Sequence, residues 1–177
     1  VARLQERGDK VYALGRGKYS GVASIQADIR DRDAVFSACQ DMDVVFHTAA
    51  IPLIWGNKKE FYDINVEGTR NVIDACRECA VKKLIYTSSP SVVFDCSDME
   101  NVDERTPYPK SYLCDYPQTK AMAERLVLEA NRRDGLLTVA LRPHLIWGPG
   151  DRHLIPRLLN RARKGQLIRV GDGRNKV

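Results

Sequence analysis

The sequence lacks any hydrophobic run long enough to span a membrane, and no secretory signal peptide opens it. Histidine is scarce, and the 3 His residues (His47, His144 and His153) are too dispersed to suggest a set of metal ligands. The 5 Cys are an odd number, which without a secretion signal favours free thiols in a reducing compartment. We therefore expect a cytoplasmic protein without a metal ion, associated with a membrane only through segments outside these 177 residues.

The sequence also lacks a basic stripe interleaved with aromatic residues, the pattern typical of nucleic-acid-binding proteins. Its net charge of +5 comes from Lys and Arg residues scattered along the chain, as in a basic globular protein that binds a phosphorylated small ligand. Cys76-x-x-Cys79 could indicate a redox or zinc site, but it lies inside a helical pattern and has no second Cys pair. We expect a small-molecule partner, no nucleic acid and no metal.

Short apolar segments alternate with helical patterns along a chain of ordinary globular composition, with 44% hydrophobic and 29% charged residues. The predicted strands cover residues 10–14, 23–28, 43–50, 83–89 and 137–143, and residues 167–173 are predicted to form a final strand and turn. The predicted helices cover residues 33–40, 60–80, 115–130 and 156–164. The nearly unbroken apolar run at 43–50 is typical of a parallel strand buried on both faces. We therefore predict one α/β domain with a doubly wound parallel sheet and right-handed crossovers.

In a doubly wound sheet, ligands bind beyond the carboxyl ends of the strands. The residues that the predicted strands bring to this edge are Gly15–Arg16, Asp28–Ile29, Ala49–Ala50, Thr87–Ser89 and Arg142–His144. The first strand leads into Gly15, Gly17 and Gly21, which could be mistaken for a dinucleotide-binding fingerprint. That motif requires a helix after its glycines, and here another strand follows, so we reject it.

The loop after the strand at 10–14 bears on the choice of cofactor. We interpret it as the loop after the second strand of a nucleotide-binding sheet. In such a sheet, an acidic residue in this loop accepts the ribose 2′-hydroxyl of NAD. This chain has Gly15 at that position, followed by Arg16 and Lys18, which suit the 2′-phosphate of NADP. The pattern favours NADP over NAD, and the alternative is an ordinary solvated loop.

Tyr116 and Lys120 lie four residues apart near the start of a predicted helix, so they share one helix face. Asp115 suits the helix start, and Pro117 suits an early position that needs no backbone N–H. A free Tyr titrates near pH ~10, and an adjacent positive charge favours the phenolate and lowers that pKa. The pair could therefore transfer a proton, although an exposed Tyr–Lys pair without function has the same spacing.

Five segments match one known pattern in both order and spacing. They are His47-Thr48-Ala49-Ala50, Asn65-Val66-Glu67-Gly68-Thr69-Arg70-Asn71-Val72, Tyr86-Thr87-Ser88-Ser89, Tyr116-x-x-x-Lys120 and Arg142-Pro143-His144-Leu145-Ile146-Trp147-Gly148-Pro149-Gly150. Together they resemble the extended short-chain dehydrogenase/reductase family over essentially all 177 residues. The resemblance implies a Rossmann-like NAD(P)-binding fold.

The segment from Thr87 to Phe94 distinguishes branches of that family. It is most similar to the 3β-hydroxysteroid dehydrogenases, and within them to the branch acting on sterol 4-carboxylates. Dehydratases of nucleotide sugars would have Asp-Glu where this chain has Pro90-Ser91. Sugar epimerases usually have a Tyr near Val93 and an acidic residue near Gly15, and this chain has neither.

The resemblance implies hydride transfer between a secondary alcohol and a nicotinamide, with Ser89, Tyr116 and Lys120 as the catalytic residues. Tyr116 would be the general base in oxidation and the general acid in reduction. Lys120 would lower the Tyr116 pKa and bind the nicotinamide ribose, and Ser89 would hold the substrate oxygen. Asn65 would either support a water relay or pack a helix. The implied cofactor-binding residues are Arg16, Asp28, Ile29, Ala49, Ala50, Asn65, Thr87, Tyr116, Lys120, Pro143 and His144.

The implied function is oxidation of a 3β-hydroxysteroid or sterol to its 3-ketone. A sterol 4-carboxylate would then lose CO₂, because the ketone stabilises the resulting carbanion. Two alternatives stay open. One is a nucleotide-sugar epimerase of the same family, which returns the hydride to its substrate, and the other is a non-catalytic dinucleotide sensor. A homodimer is compatible with each of them.

The sequence departs from the family pattern at both of its ends. The family's first strand and Gly-rich phosphate loop are absent, since residues 1–8 read as the end of a helix stopped by Gly8. The C-terminal substrate region is absent too. We therefore expect residues 1–177 to be a partial NAD(P)-binding domain, with the start of the substrate-binding region from about residue 151.

Overall fold

Short parallel strands and the helices between them build the first of two units into which the chain divides. The computed structural model describes residues 1–53, 55–151, 154–169 and 171–173. The two units are Val1–Arg142 and Pro143–Val177. The strands of the first unit are β1 (Tyr12–Gly15), β2 (Ala23–Gln26), β3 (Val44–His47), β4 (Lys83–Thr87) and β5 (Leu137–Leu141).

The helices of the first unit alternate with these strands from β2 onward. They are α1 (Ala2–Glu6), α2 (Arg32–Cys39), α3 (Lys58–Tyr62), α4 (Gly68–Glu78) and α5 (Asp115–Glu129). A π-helix, Asp63–Glu67, joins α3 to α4, and two short 3₁₀-helices cover Pro90–Val93 and Arg133–Gly135. The predicted Rossmann-like α/β architecture is thereby confirmed.

Local signals in the sequence set several helix ends. The Asp31 carboxylate accepts a hydrogen bond from the Ala34 N–H at 3.1 Å and so starts α2. Gly8, with a φ of +88°, ends the turn after α1, as predicted. The single helix predicted over 60–80 is instead interrupted by the π-helix. Over one turn, the side-chain spacing of a π-helix is too similar to that of an α-helix for sequence periodicity to separate them.

The strands form two sheets, each entirely parallel. Tyr12 of β1 lies opposite Ala23 of β2, and in the second sheet the order is β3-β4-β5, with Lys83 between Val44 and Leu137. Among the described residues, β1 does not pair with β3. In the 3-2-1-4-5 order of a doubly wound sheet, the first strand lies between the second and the fourth. The break between β1 and β3 therefore falls where the predicted absent first strand would lie.

The main core lies between the three-stranded sheet and the helices α2, α4 and α5. Leu84 and Tyr86 of β4, Cys76 of α4 and Val127 of α5 are all almost completely buried there. His47 lies opposite Tyr86 across the β3–β4 pair, so both rings lie on this covered face of the sheet. Burial of these large side chains holds the carboxyl end of β4 against α5.

The opposite face of the same sheet corrects one prediction. The strand at 43–50 was expected to be buried on both faces, but Val44 and Phe46 are 39% and 53% exposed. On β5, Leu137, Val139 and Leu141 are similarly exposed, so this face is only partly covered. An apolar run records that both faces of a strand are apolar, and it carries no information about what covers them.

The second unit contains one helix, α6 (Leu154–Arg163), among its described residues. The Asp151 carboxylate accepts the Leu154 and Ile155 N–H groups at 3.2 and 2.8 Å, so α6 begins two residues before the predicted Pro156. The strand predicted at the start of 167–173 is wrong for its described residues, since 167–169 have no regular structure, whereas the turn predicted at its end is present at 171–173. A strand needs a neighbouring strand to satisfy its backbone groups, and local apolar sequence does not supply one.

No helix in the described ranges is both long enough and apolar enough to cross a membrane.

Candidate active site

The helix α5 begins where the sequence predicts and presents Tyr116 and Lys120 in its first two turns. Asp115 is its first residue, and Pro117, whose ring nitrogen has no hydrogen to donate, lies buried in the first turn. The Thr119 hydroxyl donates to the Asp115 carbonyl at 2.7 Å, inside the same turn. The backbone that carries Tyr116 is therefore fixed by the helix start and by a buried side chain.

Lys120 is buried, with 2% of its surface exposed, and its ammonium group is directed at the end of β4. Its Nζ donates to the Thr87 carbonyl at 2.6 Å and lies 4.1 Å from the centroid of the Tyr86 ring. Burial lowers the pKa of Lys120 to about 8, while the Glu124 carboxylate opposes that change. The structure thus brings the predicted residues Thr87 and Lys120 into direct contact.

Ser89 lies two residues beyond the Thr87 carbonyl and starts the 3₁₀-helix at Pro90–Val93. Its Oγ accepts a hydrogen bond from the Ser91 N–H at 3.3 Å and lies 2.8 Å from the Ser91 Oγ. Ser88 N–H donates to the Leu141 carbonyl at 2.7 Å, which ties this segment to β5. The second hydroxyl, Ser91, was not singled out from the sequence, where only its place two residues after Ser89 could have indicated it.

Asn65 lies in the π-helix and links two distant segments through its buried side chain. Its Oδ1 accepts the Ile51 N–H at 2.9 Å, just after Ala49 and Ala50. Its Nδ2 donates to the Thr119 hydroxyl at 3.0 Å. Both amide groups of Asn65 therefore have protein partners, one after β3 and one in the first turn of α5. π-helical turns are frequent at functional sites, where the wider turn re-aims side chains.

His47 extends this chain of contacts. Its Nε2 lies 2.9 Å from the Thr69 hydroxyl, which itself donates to the Asn65 carbonyl at 2.7 Å. Burial lowers the pKa of His47 to about 3, with the Lys120 charge as a second cause, so the ring is neutral. We call His47, Thr69, Asn65 and Thr119 the polar network. It was not predicted as a unit, because its members come from three segments that lie far apart in the chain, at residues 47, 65–69 and 119.

The predicted residues after β1 and β2 lie at a more open place. Arg16 is exposed, and its carbonyl accepts the Gln26 side-chain amide at 3.0 Å. The Asp28 carboxylate binds the Arg30 guanidinium through two contacts, at 3.0 and 2.7 Å, and these hydrogen bonds hold the pKa of Asp28 below its usual value. We call Arg16, Asp28 and Arg30 the exposed edge. Ile29, beside it, is buried.

Ile29 packs so closely on the start of α4 that Gly68 has no room for a side chain. A Cβ at Gly68 would lie 2.5 Å from the Ile29 Cδ1. The Asn71 amide also donates to the Ile29 carbonyl, at 3.0 Å. The segment that follows β2 is thereby held on α4.

The donors at the strand ends fit a nicotinamide dinucleotide at two places. Lys120 has further N–H groups beside its bond to Thr87, and the small residues Ala49 and Ala50, which are exposed and half-buried, follow β3. At the exposed edge, Arg16 and Asp28 offer a cation and a carboxylate to a ribose or an adenine. The described residues contain no Gly-rich turn from a strand into a helix, so a pyrophosphate site of that kind is not among them.

Pro143 and His144 follow β5 and open the second unit. Their predicted contact with a cofactor stays a prediction. No group of three or more His, Cys, Asp or Glu side chains in the described part of the chain could hold a metal ion.

Comparison with known proteins identifies the family. The chain is 43% identical to a 2-alkyl-3-oxoalkanoate reductase of Shewanella oneidensis over 96% of its own length and 46% of that protein. It is 48% identical to a 3beta-hydroxysteroid-dehydrogenase/decarboxylase isoform 1 of Arabidopsis thaliana over 92% of its own length and 38% of that protein. The chain thus spans about half or less of these relatives.

Among solved structures, MoeE5 in complex with UDP-glucuronic acid and NAD is similar, with a TM-score of 0.78 and 29% identity. The similarity covers 91% of this chain and 55% of MoeE5. The model of the 3-beta hydroxysteroid dehydrogenase/isomerase family matches residues 5–177. The resemblance predicted from the five sequence segments is confirmed: the chain belongs to the 3-beta hydroxysteroid dehydrogenase/isomerase family, a branch of the extended short-chain dehydrogenases/reductases.

Proposed function

We propose that the protein containing this chain is an NAD(P)-dependent oxidoreductase that oxidises a 3β-hydroxysteroid or sterol to its 3-ketone. The observation that carries the proposal is the contact of Lys120 with the Thr87 carbonyl, two residues before Ser89 and one helical turn from Tyr116. Lys120 is thereby attached to the strand end that leads into Ser89, and it shares a helix face with Tyr116. Membership of the family supports the same reaction.

The residues of this chain would divide the work of removing an alcohol proton. When bound, the nicotinamide accepts the hydride from the carbinol carbon. The Tyr116 phenolate oxygen takes the hydroxyl proton as the C–O bond becomes a carbonyl, and in reduction it returns that proton. The Ser89 hydroxyl donates a hydrogen bond to the substrate oxygen and holds it within reach of Tyr116. Ser91 lies where it can orient the Ser89 hydroxyl.

Lys120 would act through charge and orientation. Its bond to the Thr87 carbonyl fixes the Nζ, and its remaining N–H groups can reach ribose hydroxyls. With a pKa of about 8, caused by burial, it keeps most of its charge at neutral pH. A neutral lysine would lose both the charge beside Tyr116 and one donor.

The substrate class is narrowed by what two relatives are named for. The Arabidopsis relative is named a dehydrogenase/decarboxylase, and the Shewanella relative is named a reductase of 2-alkyl-3-oxoalkanoates. A 4-carboxylated sterol 3-ketone and a 3-oxoalkanoate share one feature, an oxygen on the carbon next to the carboxylated carbon. We therefore include the sterol 4-carboxylates among the substrates, with loss of CO₂ after oxidation because the ketone stabilises the carbanion. A 2-alkyl-3-oxoalkanoate is the second candidate substrate.

For the cofactor, we propose NADP over NAD. Arg16 is exposed directly after β1, and Lys18 follows in the same loop. Both can meet a 2′-phosphate, and no acidic residue stands there to accept a 2′-hydroxyl.

The test uses the full-length protein and follows the absorbance of the reduced nicotinamide. A 3β-hydroxysterol, its 4-carboxylate and a 2-alkyl-3-oxoalkanoate are compared with each cofactor, beside Tyr116→Phe. Turnover that Tyr116→Phe abolishes supports the proposal, and the faster substrate and cofactor fix its details. Interconversion of UDP-sugars without net change in the nicotinamide would instead indicate an epimerase, and binding of NAD(P) without any turnover would indicate a sensor.

A further inference from the structure

Glu124 is the only acidic residue that is buried in the described part of the chain, with none of its surface exposed. It lies in α5 one turn beyond Lys120, so the two side chains share a helix face. Burying a carboxylate without a partner costs free energy, so we expect other side chains to bind it. Nothing in the local sequence pattern distinguishes Glu124 from the exposed acidic residues of the chain.

Two side chains from other segments bind the Glu124 carboxylate. Arg142, at the end of β5, donates from Nε at 3.1 and 3.2 Å and from Nη2 at 2.5 Å. The Tyr108 hydroxyl donates to the same carboxylate at 2.6 Å. Burial is the largest influence on the pKa of Glu124 and would raise it, but the hydrogen bonds that the carboxylate accepts, with that of Arg142 foremost, and the Arg142 charge together outweigh burial. The pKa therefore lies below its usual value and the group is ionised.

The charges here are the buried cation Lys120, the partly exposed cation Arg142 and one buried anion. Arginine does not lose its proton in proteins, whereas a buried lysine does so readily. If the Glu124 charge were removed, the energetic penalty of a buried cation without a nearby negative charge would therefore fall on the ionisation of Lys120. The other groups around Lys120 are the neutral His47 of β3, the Tyr86 ring and Thr87 carbonyl of β4, and Tyr116 of α5. None of them is a carboxylate, so Glu124 is the acidic group on this side of Lys120.

We propose that Glu124 is a positioning residue of the active site, whose buried carboxylate holds Lys120 in its charged ammonium form. It acts on the reaction only through Lys120, and it touches neither substrate nor cofactor. Its effect on Lys120 is a property of the chain itself, whereas its effect on catalysis rests on the function proposed above.

The same carboxylate has a second, mechanical effect. Arg142 is the last residue of the first unit, and Tyr108 belongs to the long loop that precedes α5. Glu124 therefore ties the end of β5 and that loop to the helix that carries Tyr116 and Lys120. A purely structural role would consist of this effect alone.

The deciding measurement is the ionisation of Lys120, followed by NMR of isotope-labelled lysine in the full-length protein without substrate. Lys120→Arg identifies the resonance by its loss. Glu124→Gln keeps hydrogen-bonding groups for Arg142 and Tyr108 but removes the charge, and we expect it to lower the Lys120 pKa by about one unit. Tyr108→Phe loosens the same contacts without changing the charge, and we expect a shift several-fold smaller.

The double variant Glu124→Gln/Arg142→Gln gives a second test. It removes both charges of the pair, and the Lys120 pKa should still fall, because Glu124 is the charge that acts on Lys120. This variant leaves no guanidinium without its carboxylate and keeps the proposal testable should Glu124→Gln alone fail to fold, as judged by circular dichroism. An unchanged Lys120 pKa in either folded variant would overturn the proposal.

Kinetics then separates this inference from the proposed function. In an active dehydrogenase, the alkaline limb of the pH profile of kcat/KM should move to lower pH in Glu124→Gln by the shift measured for Lys120, and not in Tyr108→Phe. If the Lys120 pKa shifts as expected but the wild-type protein has no dehydrogenase activity, the proposed function is wrong. The effect of Glu124 on the ionisation of Lys120 then still stands. If the wild type is active and the limb does not follow Lys120, the positioning role is wrong.

Discussion

The polar network and the exposed edge are two polar regions of one unit, and they are built on opposite principles. In the polar network, His47, Thr69, Asn65 and Thr119 are all buried and joined by hydrogen bonds that cross from β3 to α5. At the exposed edge, Arg16 is solvated and Asp28 binds Arg30, a close neighbour in the chain. Buried polar groups are costly when unsatisfied, so the first region is rigid and sensitive to change, while the second can vary cheaply.

Replacing Lys120, which lies against the polar network, should separate function from stability most sharply. We expect Lys120→Met to lower kcat at least ~100-fold, since proton transfer by Tyr116 would lose its charged neighbour. The free energy of unfolding should change by less than about 1 kcal/mol, because removal of a buried charge stabilises the fold while loss of the donor to the Thr87 carbonyl destabilises it. Steady-state kinetics and urea unfolding of the full-length protein measure both.

Lys110→Met is the matched control for that variant, since Lys110 is exposed in the loop before α5. It should change neither quantity. Comparable losses of activity in the two variants would show that the effect of Lys120→Met is not local.

Breaking the polar network at its centre should cost stability. Asn65→Ala leaves the Ile51 N–H and the Thr119 hydroxyl without their partner, which we expect to lower the free energy of unfolding by about 1–3 kcal/mol. Asn160→Ala, at an exposed position of α6, should change it by less than about 0.5 kcal/mol. Equal effects of the two variants on the urea midpoint would contradict the comparison.

The polar network should also make stability depend on pH through His47. Its pKa is lowered from 6.5 to about 3 by burial, so below pH 6.5 the unfolded chain binds a proton that the folded chain does not. Stability from this group is present above 6.5 and is lost as the pH falls towards 3, by about 2 kcal/mol between about pH 7.5 and about pH 5.

His47→Gln tests that sign, because glutamine can bond the Thr69 hydroxyl without titrating. The variant should lose less stability than the wild type on acidification, measured by urea unfolding at both pH values. Parallel losses in the two proteins would assign the acid sensitivity to other groups.

The smallest effect is expected at the exposed edge. Arg16→Ala should raise the KM for NADP about tenfold, leave that for NAD unchanged, and alter the free energy of unfolding by less than about 0.5 kcal/mol. A loss that is the same for both cofactors would mean that Arg16 does not read the 2′-phosphate.

The same contrast explains what could be predicted from the sequence. Short-range sequence patterns determine most strands, the helix start at Asp115 and the Tyr116–Lys120 spacing, because turn chemistry and side-chain periodicity act between residues that are close in the chain. The hydrogen bond between Asn65 and Thr119 joins residues 54 positions apart, and the one between His47 and Thr69 joins residues 22 apart. Such pairings depend on how the elements pack, and no local pattern encodes them.

Two errors have the same physical origin. The exposure of Phe46 depends on what covers the sheet, and the absence of a strand at 167–169 depends on what would pair with it. Both depend on elements that are close in space but distant in the chain, and the local sequence carries no information about such elements. The π-helix was missed for another reason, since it changes the backbone without changing the apolar pattern.

The break between β1 and β3 leaves backbone hydrogen-bonding groups of both strands without a partner strand in the described part of the chain. Within the described residues, each of these strands has one edge whose N–H and C=O groups find no neighbouring strand. Open edges of this kind are templates for any extended peptide, including another copy of the same chain. Residues 1–177 expressed by themselves should therefore self-associate, and larger oligomers should form as the protein concentration rises. A short peptide that pairs with both β1 and β3 should join the two sheets into one and should reduce this self-association.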